Sequence, residues 1–266
     1  MPRWIVENVS VWWLTVICVV GLPTLTMGLE YVIRRRSPAL LDGHQNEAVG
    51  YQSAVVGVVF AIIVGFLVIT LWDQYTSAGE VVQAETSDLR DLVQFSQAFG
   101  PAAHARVQDQ AAVYAESVAT SEWPAMARGG SSPATQQDFN RLVDTVQRLR
   151  VRSLSEQEFL GSMLTQINDI GEERQERLDL AGQNIPGVLW LVVVLSSAGT
   201  LAFSLLLGIR SAWLHYFMVG AVAVLIGASL VLALELEYPF SGSVAVHSEP
   251  YQQVAHDLRA DEPAAP

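Results

Sequence analysis

Four stretches of the chain, residues 9–29, 48–72, 186–209 and 211–234, contain no Asp, Glu, Lys or Arg. Each is as long as the roughly 20 apolar helical residues needed to cross a bilayer core of about 30 Å. Inside lipid every backbone N–H and C=O must find its partner within the protein, which leaves helices or closed barrels. The hydrophobicity here is continuous rather than alternating, so helices are predicted. A chain of 266 residues that is 51% hydrophobic and 16% charged agrees with that reading. The first stretch is longer than the apolar region of a signal peptide, runs on to Glu30-Tyr31 and Arg34-Arg35-Arg36, and lacks a small-x-small cleavage site. It therefore reads as a permanent span, bent at Pro23.

The spans form two hairpins, in residues 1–75 and 186–237. The second has only a short connection containing Arg210, and short connections imply antiparallel neighbours. Residues 76–185 form a polar domain with helical periodicity, carried by Val82, Leu89, Leu92, Val93 and Phe99, by Phe139, Leu142, Val143, Val146 and Leu149, and by Phe159, Met163, Ile167 and Ile170. Gly100-Pro101, Pro124 and "RGGSSPAT" at 128–135 mark breaks, and Ser155 with Glu158 suggests a capping box. No stop signal separates span two from residues 76–99, so one long helix should leave the membrane and continue into the polar domain. Residues 238–266 are rich in turn formers and end in "ADEPAAP", which reads as disordered. The expected fold is an all-α membrane protein with four transmembrane helices in two hairpins and a helical polar domain between spans two and three.

A net charge of −12 argues against nucleic acid as a partner. The single cysteine, Cys18, excludes an intrachain disulfide. No phosphate loop, nucleophile elbow or HExxH motif is present, so neither catalysis nor a cofactor or metal is expected. In span two, Gly50, Ala54, Gly57, Ala61 and Gly65 follow one another at steps of 4, 3, 4 and 4 and share one helix face. Such small-residue rows let helix backbones approach closely. Beside them lies an apolar row, Val58, Ile62 and Phe66. One such row from each subunit of an oligomer would make a hydrophobic constriction, although rows of this kind also face lipid or core. His44, Asn46 and Glu47 cluster with Asp42 in the first hairpin, where they either contact ions at a pore mouth or cap span two. Asp73, Glu235 and Glu237 are further candidates for ion contact, the two glutamates reading more simply as solvated helix-end carboxylates. His215 and Tyr216 read as interfacial, as amphipathic rings often are.

The stretch "VGFLVITLWDQY" at 64–75 resembles the second transmembrane helix of bestrophins, and "LELEYPFSG" at 234–242 is similar to the turn after their last span. "HQNEAVG" at 44–50 and "SEWPAM" at 121–126 resemble the bestrophin-like family of bacterial membrane proteins. The resemblance implies a homo-oligomeric ion channel, a pentamer, in the inner membrane of a bacterium, with lipids, inorganic ions and further copies of itself as partners. Matching on Gly65-Phe66 assigns the pore neck to Val58, Ile62 and Phe66; matching on Trp72 to Tyr75 assigns it to Ala54, Val58 and Ile62. Val58 and Ile62 belong to both registers. Leu71 stands where bestrophins have an arginine, and "SGSVAVHSEP" replaces the acidic run of the animal calcium clasp, so calcium gating is not implied. Animal bestrophins conduct anions and bacterial relatives can favour cations, which leaves selectivity open. The rival expectation is a non-conducting membrane scaffold or signalling protein whose helical domain binds a partner.

Topology draws two opposed expectations. Arg34–Arg36 and Arg210 would put both hairpin tips in the cytoplasm and residues 76–185 outside. The resemblance implies the reverse, and Arg3, Arg174 and Arg177 also count against the charge rule, so a cytoplasmic polar domain is the reading adopted.

Overall fold

The computed structural model describes residues 11–37, 43 and 45–260, and among these it is helical with no strand. Span one is α1 (Trp12–Arg36). It is followed by α2 (Asn46–Ser96), α3 (Pro101–Ser117), α4 (Trp123–Ala127), α5 (Pro133–Gln147), α6 (Leu154–Gly182), α7 (Gly187–Leu205), α8 (Ala212–Leu236) and α9 (Glu249–Ala260). Helices α1, α2, α7 and α8 are long and apolar enough to cross a membrane. The chain divides into a membrane unit, Met1–Asp73 with Asn184–Tyr238 and Gly242–Val244, and a polar unit, Gln74–Gln183 with Pro239–Ser241 and Ala245–Pro266. Helix α2 belongs to both: its 51 residues run without a break, a length of about 75 Å.

In the membrane unit α8 packs against α1. A Cβ on Gly227 would lie 2.1 Å from the Cys18 carbonyl oxygen, so only glycine permits this approach. The carbonyl belongs to a π-helical turn, Val16–Gly21, just before Pro23. Proline lacks an N–H and crowds the preceding turn of the helix. A widened turn upstream relieves the crowding without ending the helix. The same device recurs in the polar unit, where the π-helical turn Val118–Glu122 precedes Pro124. Pro124, expected as a break, therefore lies within a helical run continuing from α3 into α4.

The polar unit closes around one apolar core, which includes Leu89, Leu92, Tyr114, Leu142, Met163 and Ile170. Gly100, at φ 84, turns the chain between the end of the long helix and Pro101. Helix α6 starts two residues earlier than the expected capping box: Ser153 caps it, its Oγ accepting from Glu156 N at 3.1 Å. Both Ser153–Glu156 and Ser155–Glu158 satisfy the S-x-x-E pattern, and the extended backbone of Ser153 decides between them. The segment read as rich in turn formers contains α9, which buries Tyr251, Val254, Ala255 and Leu258 in the same core. The end of the chain expected to be disordered lies outside the described residues.

Candidate functional site

The membrane part of α2 presents two kinds of face. Val64, Leu67 and Leu71 are buried within the chain, and Phe60 packs against Leu201, Ala223 and Ile226. At about 100° per residue, Ile62 lies about 200° from Val64, on the opposite side of the helix. Accordingly Val58, Ile62 and Phe66 are 58%, 53% and 69% exposed. The small-residue row is equally open: nothing lies within 4 Å of a Cβ added at Gly50, Gly57 or Gly65, and Ala54 and Ala61 are exposed. Among the described residues of its own chain, then, this row mediates no helix packing. A long apolar helix with two adjacent open faces must meet lipid or other protein there.

The polar candidates separate. Asn46 binds the α7–α8 connection, its Nδ2 donating to Gly208 O at 2.9 Å while Gly208 N donates to Asn46 Oδ1 at 2.8 Å. Glu47 is exposed in the first turn of α2, and Asp73 is exposed at the other end of the span. His44 and Asp42 lie outside the described residues. Glu235 and Glu237 are not solvated helix-end carboxylates: both are buried. Glu235 Oε2 accepts from Ser243 N and Oγ, and Glu237 Oε1 accepts from Trp190 Nε1 at 3.2 Å. His215, expected at the interface, is also buried, with Nε2 at 3.0 Å from Ser204 O.

Sequence reasoning missed a buried charge cluster in the polar unit. Arg177 Nε donates to Glu85 Oε2 at 2.9 Å and its Nη2 to Glu122 Oε2 at 3.1 Å. Arg174 forms a two-point pair with Glu122, Nη2 to Oε1 at 2.6 Å and Nε to Oε2 at 3.1 Å. Tyr114 Oη donates to Glu85 Oε1 at 2.6 Å, and the Arg177 guanidinium lies 5.3 Å from the Tyr251 ring centre. Burial alone would lower the pKa of Arg177, but Glu85, through its charge and hydrogen bond, together with Tyr251 and Tyr114, outweighs it, and the group is held well above its ordinary value. Burial and Glu85 push Tyr114 upward as well. The signal was present in the periodicity. Arg174 and Arg177 continue the buried row Met163, Ile167 and Ile170 on α6, so two charges occupy core positions.

What the fold and these faces define is a multi-pass, all-helical membrane protein whose second span turns a continuous apolar face away from the rest of the described chain. The chain belongs to the Bestrophin-like domain family, which matches residues 20–251. Crystal structures of a bacterial bestrophin homologue from Klebsiella pneumoniae share its fold. One point variant gives a TM-score of 0.73 at 17% identity, covering 91% of this chain and 98% of the other. The form solved by zinc phasing gives 0.69 at 15% identity, covering 92% and 100%. A structure described as a membrane protein variant gives 0.72 at 15% identity, covering 92% and 97%. No curated protein sequence matches the chain.

Proposed function

We propose that this chain is the subunit of a homo-oligomeric ion channel, a pentamer by analogy with bestrophins, whose axial pore is lined by α2. The observation that carries the reading is the direction of the Val58, Ile62 and Phe66 row, opposite the buried row of the same helix. Copies of that row around an axis form an apolar neck, which controls passive ion flow by wetting and dewetting. The adjacent Gly50, Gly57, Ala61 and Gly65 row suits close contact between α2 helices of neighbouring subunits. Ala54 joins the neck in the register one turn earlier. Asn46 and Glu47 stand at one mouth, with His44 beside them in sequence, and Asp73 stands at the other. Glu235 and Glu237 hold the chain's own turn and aromatic ring, so their contribution to ion contact is indirect.

Reconstitution in liposomes tests the reading. Wild-type protein should pass ions, and Val58→Ala or Ile62→Ala, by widening the neck and lowering its hydrophobicity, should raise the flux. Flux no greater than in empty liposomes for wild type and both variants overturns the channel. A monomeric or dimeric particle would instead favour a scaffold whose polar unit binds a partner.

A further inference from the structure

Where α1 ends, α8 begins and the α7–α8 connection passes, three ionisable side chains meet inside the membrane unit. Glu30 and His215 are 0% and 1% exposed at the side chain, and Arg34 is 21% exposed. Arg34 Nε donates to Glu30 Oε1 at 2.9 Å, and its Nη2 donates to the Ile209 carbonyl at 3.1 Å. The imidazole lies between the two charges: His215 Nδ1 is 2.7 Å from Arg34 Nη2 and 2.8 Å from Glu30 Oε1.

These distances cannot all be favourable in one protonation state. The Ser204 carbonyl, 3.0 Å from Nε2, can only accept, so Nε2 carries a hydrogen. A bare Nδ1 then accepts from Arg34 but opposes the Glu30 oxygen with a lone pair. A protonated Nδ1 donates to Glu30 but opposes an Arg34 N–H. One proton decides between the two partners. Glu30 Oε2 is buried and has no hydrogen-bond partner among the described residues. It is therefore open to an Arg34 N–H displaced from Nδ1.

We propose that Glu30, Arg34 and His215 form a buried proton-binding site, in which uptake of one proton at Nδ1 moves that nitrogen from Arg34 to Glu30. Arg34 then turns toward Glu30 Oε2 and releases the Ile209 carbonyl. The connection that Arg34 releases is the one held by Asn46 at the first turn of α2, through Gly208. The site thus couples proton uptake to the start of the second span, and this consequence rests on the reading of α2 as the pore helix.

Imidazole is the side chain suited to such a role between about pH 5 and 8. Among the described residues the other ionisable groups near it are few. From α1 come Glu30 and Arg34, while Arg35 reaches the exposed Tyr31 at 3.2 Å. From the connection comes the exposed Arg210, and from α8 itself Tyr216, whose ring centre is 5.8 Å from Arg34 Cζ. Helix α7 faces the site with the Ser204 carbonyl. The Cys18 segment meets α8 at Gly227, about three turns away, and Glu47 on α2 is exposed.

Full-length protein labelled with nitrogen-15 in its histidine rings, reconstituted in lipid nanodiscs, tests the site directly. His215→Gln assigns the signal, and it keeps a donor for Ser204 while removing titration. As pH is raised, Nδ1 of His215 should pass from the protonated to the bare form while Nε2 stays protonated, and Glu30→Gln should remove the protonated form. A His215 Nδ1 that keeps one protonation state throughout overturns the site. In liposomes, wild-type ion flux should change in a step with pH and His215→Gln should lose that step; flux through wild type that is independent of pH, or a step that survives in the variant, overturns the coupling to α2. Absence of flux in every sample at every pH overturns the channel reading alone, and the nitrogen shifts still decide the proton site. Should His215→Gln fail to fold, Glu30→Gln takes its place: a titrating Nδ1 signal that it removes supports the site, and histidine spectra that it leaves unchanged overturn it.

Discussion

At the scale of residues, the polar unit keeps charge in two ways. The Glu85, Glu122, Arg174 and Arg177 cluster is closed, each carboxylate answered by guanidinium. Removing one partner of such a cluster leaves an uncompensated buried charge, at a cost of about 3–5 kcal/mol. Arg177→Leu should therefore lower the thermal unfolding midpoint sharply in detergent, while Arg141→Ala, at the exposed Asp138 pair, should lie close to wild type. Equal effects would refute the structural weight given to the cluster. Glu173 is the opposite case. One of its oxygens is buried without a partner among the described residues. Burial first, then Asp88, Glu85, Asp169 and Glu176, push its carboxyl from 4.5 up to about 8. Between those values the folded chain holds a proton that the unfolded chain has released. The contribution of Glu173 is thus complete below 4.5 and is lost as pH rises toward 8. Glu173→Gln, which stays neutral, should unfold at a higher temperature than wild type near pH 8, with the gap closing toward pH 4.5. A gap of the same size at both ends would refute this.

At the scale of elements, two glycines of α8 make a controlled comparison. A Cβ at Gly220 would lie 2.2 Å from Met27 Cε, the far end of a flexible side chain, whereas at Gly227 it would meet the backbone of Cys18 at 2.1 Å. A methionine tip can move aside; a helix backbone cannot without separating α1 from α8. Overpacking of that kind costs typically about 1–3 kcal/mol. Gly227→Ala should lower the thermal midpoint much more than Gly220→Ala, and the reverse order would refute the packing described. The spans and the uninterrupted α2 were legible in the sequence because hydropathy and the absence of breakers act along the chain. The π-helical turns were not. Proline marked both places, but whether it ends a helix or is absorbed by a widened turn depends on what packs beside it. Helix α9 was missed because its Tyr251, Val254, Ala255 and Leu258 row is short and lies among turn formers.

For the whole molecule, the open faces of α2 must meet either lipid or other protein, and the proposed channel places further copies of the chain there. Single-particle images viewed along the membrane normal should show five copies around an open axis, with α2 nearest to it. An axis filled by another helix, or a lone subunit with the Val58 face in lipid, would refute the arrangement. The four membrane-compatible helices and the spacing of the two rows on span two were determined by the amino-acid sequence alone, because apolar length and 3.6-residue periodicity are properties of neighbouring residues. That the chain leaves both rows uncovered, and which charges meet, only the tertiary structure decided. Arg34 and His215 are 181 residues apart, and Glu85 and Arg177 are 92 apart. Nothing local distinguishes a buried charge that will find a partner from one that will face water; that choice is made when distant helices pack and exclude water from the groups between them.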